Sequence, residues 1–489
     1  MSSYILALDQ GTTGSTALLI DQALTIKAKA NQEFPQYYPK PGWVEHNLNE
    51  IWTATLNTIQ TVLKESQVPA SQIAAIGITN QRETTCLWDR KSGQPLFPAI
   101  VWQCRRTKDI CDKLKKQGKE KLFRKKTGLV LDPYFSGTKI KWYFDTYSEL
   151  YKKDISFGTI DTFLVSKLTQ NKVHVTDPSN ASRTLLMNLE TLEWDEELLD
   201  ILHVPKNILP LIQSSSEIYG KTKNVPGLPD GIPISGIAGD QQAALFGQAC
   251  FNVGEAKCTY GTGSFLLLNT GSKIIRSHYN LLTTVAWKLS NKVTYALEGS
   301  AFIAGAAVQW LRDGLKIIQK SSDIEALAKT VSSSEEVVFV PALTGLGAPY
   351  WNASARGIIS GITRGTTAGH LARATLEGIA FQNYDLLIAM QKDLGKKLSS
   401  LKVDGGASVN NLLMQFQADL LQTPVIRPKF VETTALGAGC LAGLAIGFWK
   451  DLSDIQKSWQ KDEEFSPQMK SQERTIHLDK WKSAIRRCL

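Results

Sequence analysis

One short pattern occurs twice in this sequence, and it narrows the folds open to the chain more than any other feature. Residues 4–20 contain an apolar run, a Gly-Thr-Thr turn at residues 11–13 and a second apolar run, which predicts a β-hairpin. Residues 256–269 repeat the arrangement around a Gly-Thr-Gly turn at residues 261–263. A chance likeness is the alternative, but one such unit at the start of each half indicates a duplicated architecture.

The length of the chain agrees with two structural units. A chain of 489 residues is too long for one core of ordinary size, so we predict two domains, residues 1–249 and residues 250–489. Apolar runs of strand length alternate with longer periodic segments, which is typical of α/β layers. Predicted strands cover residues 73–79, 84–88 (paired with the strand before it), 234–238, 337–340 and 401–403, and predicted helices cover residues 241–250, 366–394, 408–421 and 435–449.

The formal net charge of +9 raises the question of a nucleic-acid partner. Much of the excess lies in residues 105–126, where Ile110, Leu114, Leu122 and Phe123 are spaced among lysines. This spacing predicts short amphipathic helices whose basic faces are solvated. Because no recognition module accompanies the charge, we predict no nucleic-acid partner.

Cysteine usage and hydropathy bear on the compartment of the protein. The seven cysteines are scattered, without CxxC spacing or neighbouring histidines, which argues against a disulfide framework and a zinc site. The first residues lack the basic segment of a signal peptide, and no apolar run approaches the length that spans a bilayer. We therefore predict a cytoplasmic protein without stable membrane association.

Both Gly/Thr turns have the composition of phosphate-binding loops. Glycine and small hydroxyl residues let backbone N–H groups close around a phosphate oxygen, and threonine adds a side-chain donor. Asp9 ends the strand before the first turn, and a carboxylate beside phosphates requires a cation. We predict that Asp9 holds Mg²⁺, directly or through water, with a turn-capping role as the alternative.

A glycine pair marks another candidate ligand contact. Gly405 and Gly406 follow a predicted strand and precede the helical segment that contains Asn410. Paired glycines at a strand-to-helix turn let a flat ring approach the backbone. A simple tight turn explains the same residues.

Asp240 is the candidate acid–base residue. It lies between a predicted apolar strand and a predicted helix, which is where ligands gather in α/β proteins. Phosphoryl transfer to a hydroxyl needs a carboxylate that orients the attacking group and accepts its proton. A helix-capping aspartate would look the same in isolation.

Other residues have the chemistry of a polyol site. Arg82 and Glu83 are adjacent in a loop, where they could donate to and accept from hydroxyl groups, although a solvated salt bridge is the default interpretation. Trp102, Tyr134 and Phe265 are bulky residues suited to an apolar wall, although each alone is more often a core residue.

Taken in order, these segments resemble the FGGY family of carbohydrate kinases over roughly residues 4–447. Runs of this length are far more specific than isolated three-residue motifs. The runs that carry the resemblance are ALDQGTT (7–13), YPKPGWVEH (38–46), AAIGITNQRETT (74–85), AIVWQCRRT (99–107), DPYFSGTK (132–139), GIAGDQQAALFGQ (236–248), TYGTG (259–263), TGLGAPYW (344–351), RATLEGIA (373–380) and VDGGASVNN (403–411).

The resemblance implies two actin-like (ribonuclease H-like) ATPase domains of the α/β class, with ATP and glycerol in the cleft between them. It implies ATP-dependent phosphorylation of glycerol to sn-glycerol 3-phosphate, with Asp240 as the general base and Asp9 near Mg²⁺. The implied glycerol-binding residues are Arg82, Glu83, Trp102, Tyr134, Asp240, Gln241 and Phe265. The implied ATP-binding residues are Thr12, Thr13, Gly14, Thr262, Gly305, Gln309, Gly406 and Asn410.

The sequence departs from the family pattern at the first Gly/Thr turn, and two alternative functions remain. Gly14 and Thr16 stand where family members often have serine and arginine, so a cationic contact to the nucleotide is missing. One alternative is a kinase for another polyol or for a pentulose such as xylulose, and a second is an actin-like ATP switch without a small-molecule substrate. The resemblance also leads us to expect a homodimer or homotetramer.

Overall fold

The computed structural model describes residues 3–352 and 354–489. In the first half of the chain the strands are β1 Tyr4–Gln10, β2 Gly14–Ile20, β3 Ile26–Glu33, β4 Glu45–His46, β5 Ile73–Asn80, β6 Cys86–Asp89, β7 Ala99–Ile100, β8 Ile155–Gly158, β9 Val175–Thr176, β10 Leu211–Ile212, β11 Ser216–Lys221 and β12 Pro233–Gly239. The helices of this half are α1 Leu48–Ser66, α2 Lys108–Lys116, α3 Glu120–Thr127, α4 Ser136–Thr146, α5 Ile160–Leu168, α6 Pro178–Ala181, α7 Glu196–Leu202 and α8 Asp240–Gly247.

The second half contains the remaining elements. Its strands are β13 Ala256–Tyr260, β14 Ser264–Gly271, β15 Leu282–Leu289, β16 Lys292–Ala301, β17 Val338–Val340, β18 Ile358–Ser360, β19 Leu401–Asp404, β20 Val425–Pro428 and β21 Lys461–Phe465. Its helices are α9 Gly305–Asp313, α10 Asp323–Ala328, α11 Ala368–Leu394, α12 Asn411–Leu421, α13 Thr433–Ala445, α14 Leu452–Ser458 and α15 Ser471–Cys488. Within the described ranges, no helix combines the length and the apolar character that crossing a membrane requires.

Each half is built on one large sheet, and the two sheets share a plan. The first has the strand order β11-β12-β5-β1-β2-β3 and the second has the order β15-β16-β14-β13-β19-β20-β21. The hairpin β1–β2 is antiparallel, and β1 runs parallel to β5 on its other side. The hairpin β13–β14 is likewise antiparallel, and β13 runs parallel to β19. Both predicted hairpins and the duplicated α/β architecture are therefore confirmed.

The central strands of the first sheet, β12, β5, β1 and β2, are mostly buried, which explains their nearly continuous apolar sequences. The edge strands β3 and β11 are partly exposed. Alternate residues of β1 point to opposite sides, as the period of a strand requires. Leu6 and Leu8 join a core cluster with apolar residues of α1 and α5. Ile5 and Ala7 join a second cluster with α8 and α13.

Some predicted pairings and boundaries are wrong. Residues 84–88 do not pair with β5, because both edges of β5 are occupied by the parallel strands β1 and β12. The chain instead leaves the sheet at Asn80 and turns at Glu83, whose φ of 61° is left-handed, and β6 pairs with β8. The helix predicted at 408–421 begins at Asn411, after a 3₁₀ turn over Gly406–Val409, and the helix predicted at 435–449 ends at Ala445.

Helix α13 belongs to the second half of the sequence but packs on the sheet of the first half. A Cβ atom on Gly77 of β5 would lie 2.1 Å from the carbonyl oxygen of Ala438. A Cβ atom on Gly236 of β12 would lie 2.4 Å from the backbone nitrogen of Ala442. Only glycine permits backbones to approach so closely, so these residues position α13 against the sheet. The domain boundary between residues 249 and 250 stays a prediction, and α13 joins the two ranges.

Helix α8 meets α13 backbone to backbone. A Cβ atom on Gly437 would lie 1.8 Å from the carbonyl oxygen of Ala243, and one on Gly247 would lie 2.0 Å from that of Thr433. Because α8 begins at Asp240, this contact determines where that residue lies.

The loop after β1 is held by buried polar side chains. Gln36 Nε2 donates to the carbonyl oxygen of Thr12 at 2.8 Å, and Gln81 Nε2 donates to that of Gly11 at 3.1 Å. His46, which is fully buried, lies between the two glutamines, with its Nε2 2.6 Å from Gln36 Oε1 and its Nδ1 3.3 Å from Gln81 Nε2. The carbonyl oxygens of Gly11 and Thr12 therefore both accept hydrogen bonds from glutamine side chains, so neither oxygen is directed at a bound anion.

The contact between α8 and α13 predicts unequal effects of two glycine substitutions in the same helix. Gly437→Ala forces a methyl group onto the backbone of α8, so we expect a loss of about 3 kcal/mol or more in the free energy of unfolding. Gly439→Ala is the control, because its nearest neighbour is the end of the Ile20 side chain, which can move. We expect it to cost about 1 kcal/mol or less. Urea denaturation measures both values, and equal losses would contradict the proposed packing.

The environment of His46 predicts a dependence of stability on pH. Burial lowers the pKa of His46 to about 4 from its usual value near 6.5. As the pH falls between these values, the unfolded chain takes up a proton that the folded protein does not, so stability decreases by up to about 3 kcal/mol. In His46→Gln this part of the acid destabilisation should disappear. Urea midpoints from pH 7.5 to pH 4.5 measure it, with pH 7.5 as the baseline, and parallel curves for both proteins would refute the expectation.

Candidate active site

Most of the predicted site residues of the first half meet at one edge of its sheet. Strands β1, β5 and β12 are parallel neighbours, with Thr79 the register partner of both Asp9 and Ala238, so their carboxyl ends lie together. Asp9 is next to the end of β1, Arg82 follows β5, and Asp240 follows β12. Such an edge is the usual ligand-binding position of a parallel sheet.

Arg82 connects the residues of this edge. Its Nε lies 3.1 Å from Oδ1 of Asp240, and its other nitrogens contact Oε2 of Glu298 at 2.5 Å and the hydroxyl of Tyr134 at 3.4 Å. The side chain of Arg82 is only 2% exposed. A solvated salt bridge between Arg82 and Glu83 is therefore the wrong interpretation: both are buried, and Arg82 Nε is 3.8 Å from Glu83 Oε1.

Two residues that sequence reasoning missed complete a buried ring of charges. Glu83 Oε1 accepts from Arg183 Nε at 2.7 Å, and Arg183 Nη2 donates to Glu298 Oε1 at 2.9 Å. Arg82 in turn donates two hydrogen bonds to the Glu298 carboxylate. Glu298 lies on β16 of the second sheet, so the ring joins the two halves. Strand β16 contains other polar residues besides Glu298, so no local pattern marked this residue.

The ring controls the charges around the cleft, which is the region of partly exposed side chains at this sheet edge where the two halves meet. Burial acts to raise the pKa of Glu298, but the guanidinium groups of Arg183 and Arg82 outweigh it and lower that pKa to about 2. Burial raises the pKa of Glu83 above its usual range, against the opposing effect of the two arginines. Burial also raises the pKa of Asp240, and Arg82 again opposes the shift. Glu298 thus neutralises much of the positive charge that Arg82 would otherwise direct at Asp240.

Asp240 does not serve as the helix cap. Gly239 occupies the cap position of α8, and Asp240 is the first helical residue. Its Oδ1 accepts from the backbone N–H of Gln241 at 2.7 Å as well as contacting Arg82. The side chain is 29% exposed, and its Oδ2 receives no hydrogen bond from the residues that the structure describes. One carboxylate oxygen is therefore fixed while the other is available in the cleft.

Three aromatic side chains line this cleft. Trp102 makes edge contacts with Tyr134 and Phe265, at ring-centroid distances of 5.5 and 6.5 Å. All three are partly exposed rather than core residues. Phe265 lies on β14, so the wall has contributions from both halves of the chain.

Trp102 also connects the wall with the first Gly/Thr loop. Its Nε1 donates to Oγ1 of Thr12 at 2.9 Å. Because the threonine oxygen accepts this bond, its own hydroxyl proton is available to another acceptor. Thr16, farther along the hairpin, accepts from Asn31 at 2.8 Å.

The second Gly/Thr loop lies against the start of α9. The backbone N–H groups of Ala304 and Gly305 donate to the carbonyls of Thr262 and Gly261 at 2.8 and 2.9 Å. A Cβ atom on Gly305 would lie 2.7 Å from the Gly261 oxygen, so this glycine has a packing role. Its predicted contact with nucleotide stays a prediction. Gln309 is exposed on the same helix, one turn further on.

The glycine pair after β19 borders the same loop. Gly405 has a φ of 84°, and a Cβ atom there would lie 2.5 Å from the carbonyl oxygen of Tyr260. A Cβ atom on Gly406 would meet nothing within 4 Å, which leaves an open backbone surface. Asn410 caps α12 by accepting from the N–H of Leu413 at 2.9 Å. The predicted nucleotide residues of the second half therefore lie on the second Gly/Thr loop, on helix α9 and in the segment after β19.

Asp9 has the surroundings of a cation ligand. Burial, together with the nearby carboxylates of Asp240 and Glu432, raises the pKa of Asp9 to about 8, although Lys29 opposes the shift. Within the described ranges there is no group of three acidic, histidine or cysteine side chains that could form an all-protein metal site. Mg²⁺ at phosphate sites usually takes one or two carboxylates and completes its shell with phosphate and water, so Asp9 fits that ion.

Comparisons with known proteins identify the family to which this chain belongs. The family models for the N-terminal and C-terminal domains of the FGGY family of carbohydrate kinases match residues 4–247 and 256–446. The chain is 57% identical to a glycerol kinase of Bdellovibrio bacteriovorus, over 100% of this chain and 99% of that one. It is 58% identical to a glycerol kinase of Deinococcus radiodurans, over 99% and 97% of the two chains.

Solved structures give the same result. The crystal structure of Plasmodium falciparum glycerol kinase with ADP superposes with a TM-score of 0.94 at 38% identity, over 100% of this chain and 98% of that one. A ligand-bound xylulose kinase from Lactobacillus acidophilus superposes with a TM-score of 0.89 at 25% identity, over 99% and 97% of the chains. The matches extend over both halves of the chain and include the sheet edge that carries Asp240. The chain belongs to the FGGY family of carbohydrate kinases.

Proposed function

We propose that this protein transfers the γ-phosphoryl group of ATP to a terminal hydroxyl of glycerol, forming sn-glycerol 3-phosphate, with Asp240 as the general base. The observation that carries the proposal is the state of the Asp240 carboxylate, in which one oxygen is fixed by Arg82 and the other is available in the cleft. The high identity to glycerol kinases over the whole chain supports glycerol as the acceptor.

The acceptor end of the cleft suits a short polyol. Arg82, Glu83 and Gln241 offer donors and acceptors to hydroxyl groups, and Tyr134 adds its phenol hydroxyl. Trp102, Tyr134 and Phe265 cover the carbon backbone from both halves of the chain. We infer that an acceptor site bordered by these contacting side chains suits three carbons better than the five of a pentulose.

Asp240 orients the attacking hydroxyl and receives its proton. The hydroxyl oxygen forms a bond to the γ-phosphorus while the bond between that phosphorus and the β–γ bridging oxygen breaks, and ADP leaves with the electron pair. The proton passes to Oδ2 of Asp240. Because Oδ1 is held by Arg82 and by the N–H of Gln241, the carboxylate does not have to reorient during the reaction.

The nucleotide end is formed by the two Gly/Thr loops and the segments around them. We assign the phosphates to backbone N–H groups and hydroxyls of the loops, and the base and ribose to the open surface beside Gly406. Mg²⁺ held by Asp9, directly or through water, would neutralise charge on the phosphates. The residues proposed to contact ATP are Thr12, Thr13, Gly14, Thr262, Gly305, Gln309, Gly406 and Asn410.

The buried ring of charges argues against an ATP switch without a small-molecule substrate. Such a protein would gain nothing from burying Arg82, Glu83, Arg183 and Glu298 in one ring, since buried ion pairs seldom add stability over apolar side chains. A cytoplasmic location stays a prediction from cysteine usage and hydropathy, and a homodimeric or homotetrameric state stays a prediction from the family resemblance.

The proposed reaction is tested by coupled measurement of ADP production. We expect ADP formation to depend on glycerol, because water has no comparable set of contacts beside Asp240. Xylulose at equal concentration serves as the competitor and should give much slower turnover. A preference for xylulose would replace glycerol as the acceptor, and turnover independent of either compound would refute a polyol kinase.

The role of Asp240 is tested by Asp240→Asn. The amide keeps the shape of the side chain but cannot accept the proton, so we expect kcat to fall by at least about a hundredfold. The dissociation constant for ATP, measured by calorimetry, should change little, because the nucleotide contacts are on the loops. Near-normal turnover in this variant would show that another group is the base.

A further inference from the structure

Lys257 is a buried cation at the cleft that the proposed mechanism does not use. It lies on β13, shortly before the second Gly/Thr loop, and its side chain has no exposed surface. Its Nζ donates to Oε1 of Gln241 and, at 2.8 Å, to Oγ1 of Thr259. The bond to Gln241 joins the second sheet to the first turn of α8.

The chemistry of Lys257 decides which way the Gln241 amide is turned. An ammonium group carries donors only, so the glutamine atom that faces it must be the carbonyl oxygen. Burial lowers the pKa of Lys257, but Asp404 and Asp240 oppose the shift and favour the charged form. The two N–H donors of Gln241 must then face away from Lys257.

The amide nitrogen of Gln241, which belongs to the residue after the proposed base, has no protein partner in the described ranges. Gln241 follows Asp240 in the first turn of α8 and is partly exposed, as is Asp240. Across residues 3–352 and 354–489 we find no acceptor for its Nε2, whereas its Oε1 is bonded to Lys257. An acceptor hydroxyl that gives its proton to Asp240 needs donors for its oxygen lone pairs. An amide turned in this direction supplies them.

We propose that Lys257 is a positioning residue that holds the Gln241 amide with its N–H donors directed at an oxygen of the acceptor. This inference rests on the proposed polyol site. With the amide reversed, its oxygen would face the acceptor and could only accept a hydrogen bond, as the Asp240 carboxylate already does. Lys257 prevents that arrangement from the opposite half of the molecule.

Lys402 provides a matched control. It is the register partner of Lys257 on the neighbouring strand β19 and is also buried. Its Nζ donates to the backbone carbonyls of Gln248 and Ala249 at 2.7 and 3.1 Å, not to Gln241. Lys402→Met removes the same charge from an adjacent strand and leaves the amide in place.

A double-mutant cycle tests the proposal on the full-length protein. We expect Lys257→Met and Gln241→Ala each to raise KM for glycerol by about threefold to tenfold, the value of one hydrogen bond. KM for ATP should stay within about twofold, and the double variant should be no worse than the poorer single variant. Lys402→Met should leave KM for glycerol unchanged, even where it lowers the melting temperature. Additive losses, or an equal loss in Lys402→Met, would overturn the proposal.

A second variant, at Gln241, tests the donor role of the amide if Lys257→Met does not fold. Gln241→Glu keeps an oxygen for Lys257 but replaces both donors by an acceptor, so KM for glycerol should rise at least as much as in Gln241→Ala. A KM equal to that of the unaltered protein would refute the donor role. Glycerol-dependent ADP production by the unaltered protein tests the proposed function separately, so the two failures are distinguishable.

Discussion

The backbone contact between α8 and α13 is the constraint on which the rest of this molecule depends. With Gly437 against Ala243 and Gly247 against Thr433, the two helices approach as closely as polypeptide backbones allow. Helix α13 in turn lies on the first sheet through Gly77 and Gly236. The helix that begins with Asp240 is thereby fixed relative to the sheet edge from which Arg82 emerges. Helix–helix contacts of this kind leave no room for a side chain between the two backbones. The α8 backbone that carries the Asp240 carboxylate therefore has little freedom to move.

The buried charge ring adds a second restraint of a different kind. Arg82, Glu83 and Arg183 belong to the first half of the chain, and Glu298 belongs to the second. Breaking one member of such a ring leaves an uncompensated charge in the interior, which costs about 3–5 kcal/mol. The ring therefore acts more as a device for geometry than as a source of net stability. It keeps Arg82 in place beside Asp240 and weakens the electrostatic effect of Arg82 on that carboxylate.

Local patterns predicted much of this structure. Apolar periodicity predicted the two hairpins, the strand before Asp240 and the long helix α11. The long sequence runs shared with the family supplied most of the candidate site residues. The pairing of residues 84–88 could not be obtained in this way. It depends on β12, some 150 positions later in the chain, occupying the free edge of β5.

Sequence patterns did not indicate Arg183, Glu298 and Lys257, and the reason is the same for all three. Each is a charged residue in a segment that looks ordinary by itself, and each has its role through a partner far away in sequence. A sequence pattern records spacing along the chain but not burial, and a charged residue is exposed by default. Only the three-dimensional arrangement shows that these charges are enclosed.

The hydrogen bond from Trp102 to Thr12 has a further consequence. In the proposed site the Trp102 indole covers the acceptor, and the Thr12 hydroxyl that it contacts belongs to the loop that we assign to the phosphates. A polyol that immobilises the ring also immobilises that hydroxyl, so part of the ordering entropy of the nucleotide site is spent before ATP arrives. Thermodynamic reciprocity requires ATP to improve the binding of the polyol by the same factor. In the proposed function, the Trp102–Thr12 contact would therefore couple the binding of the two substrates.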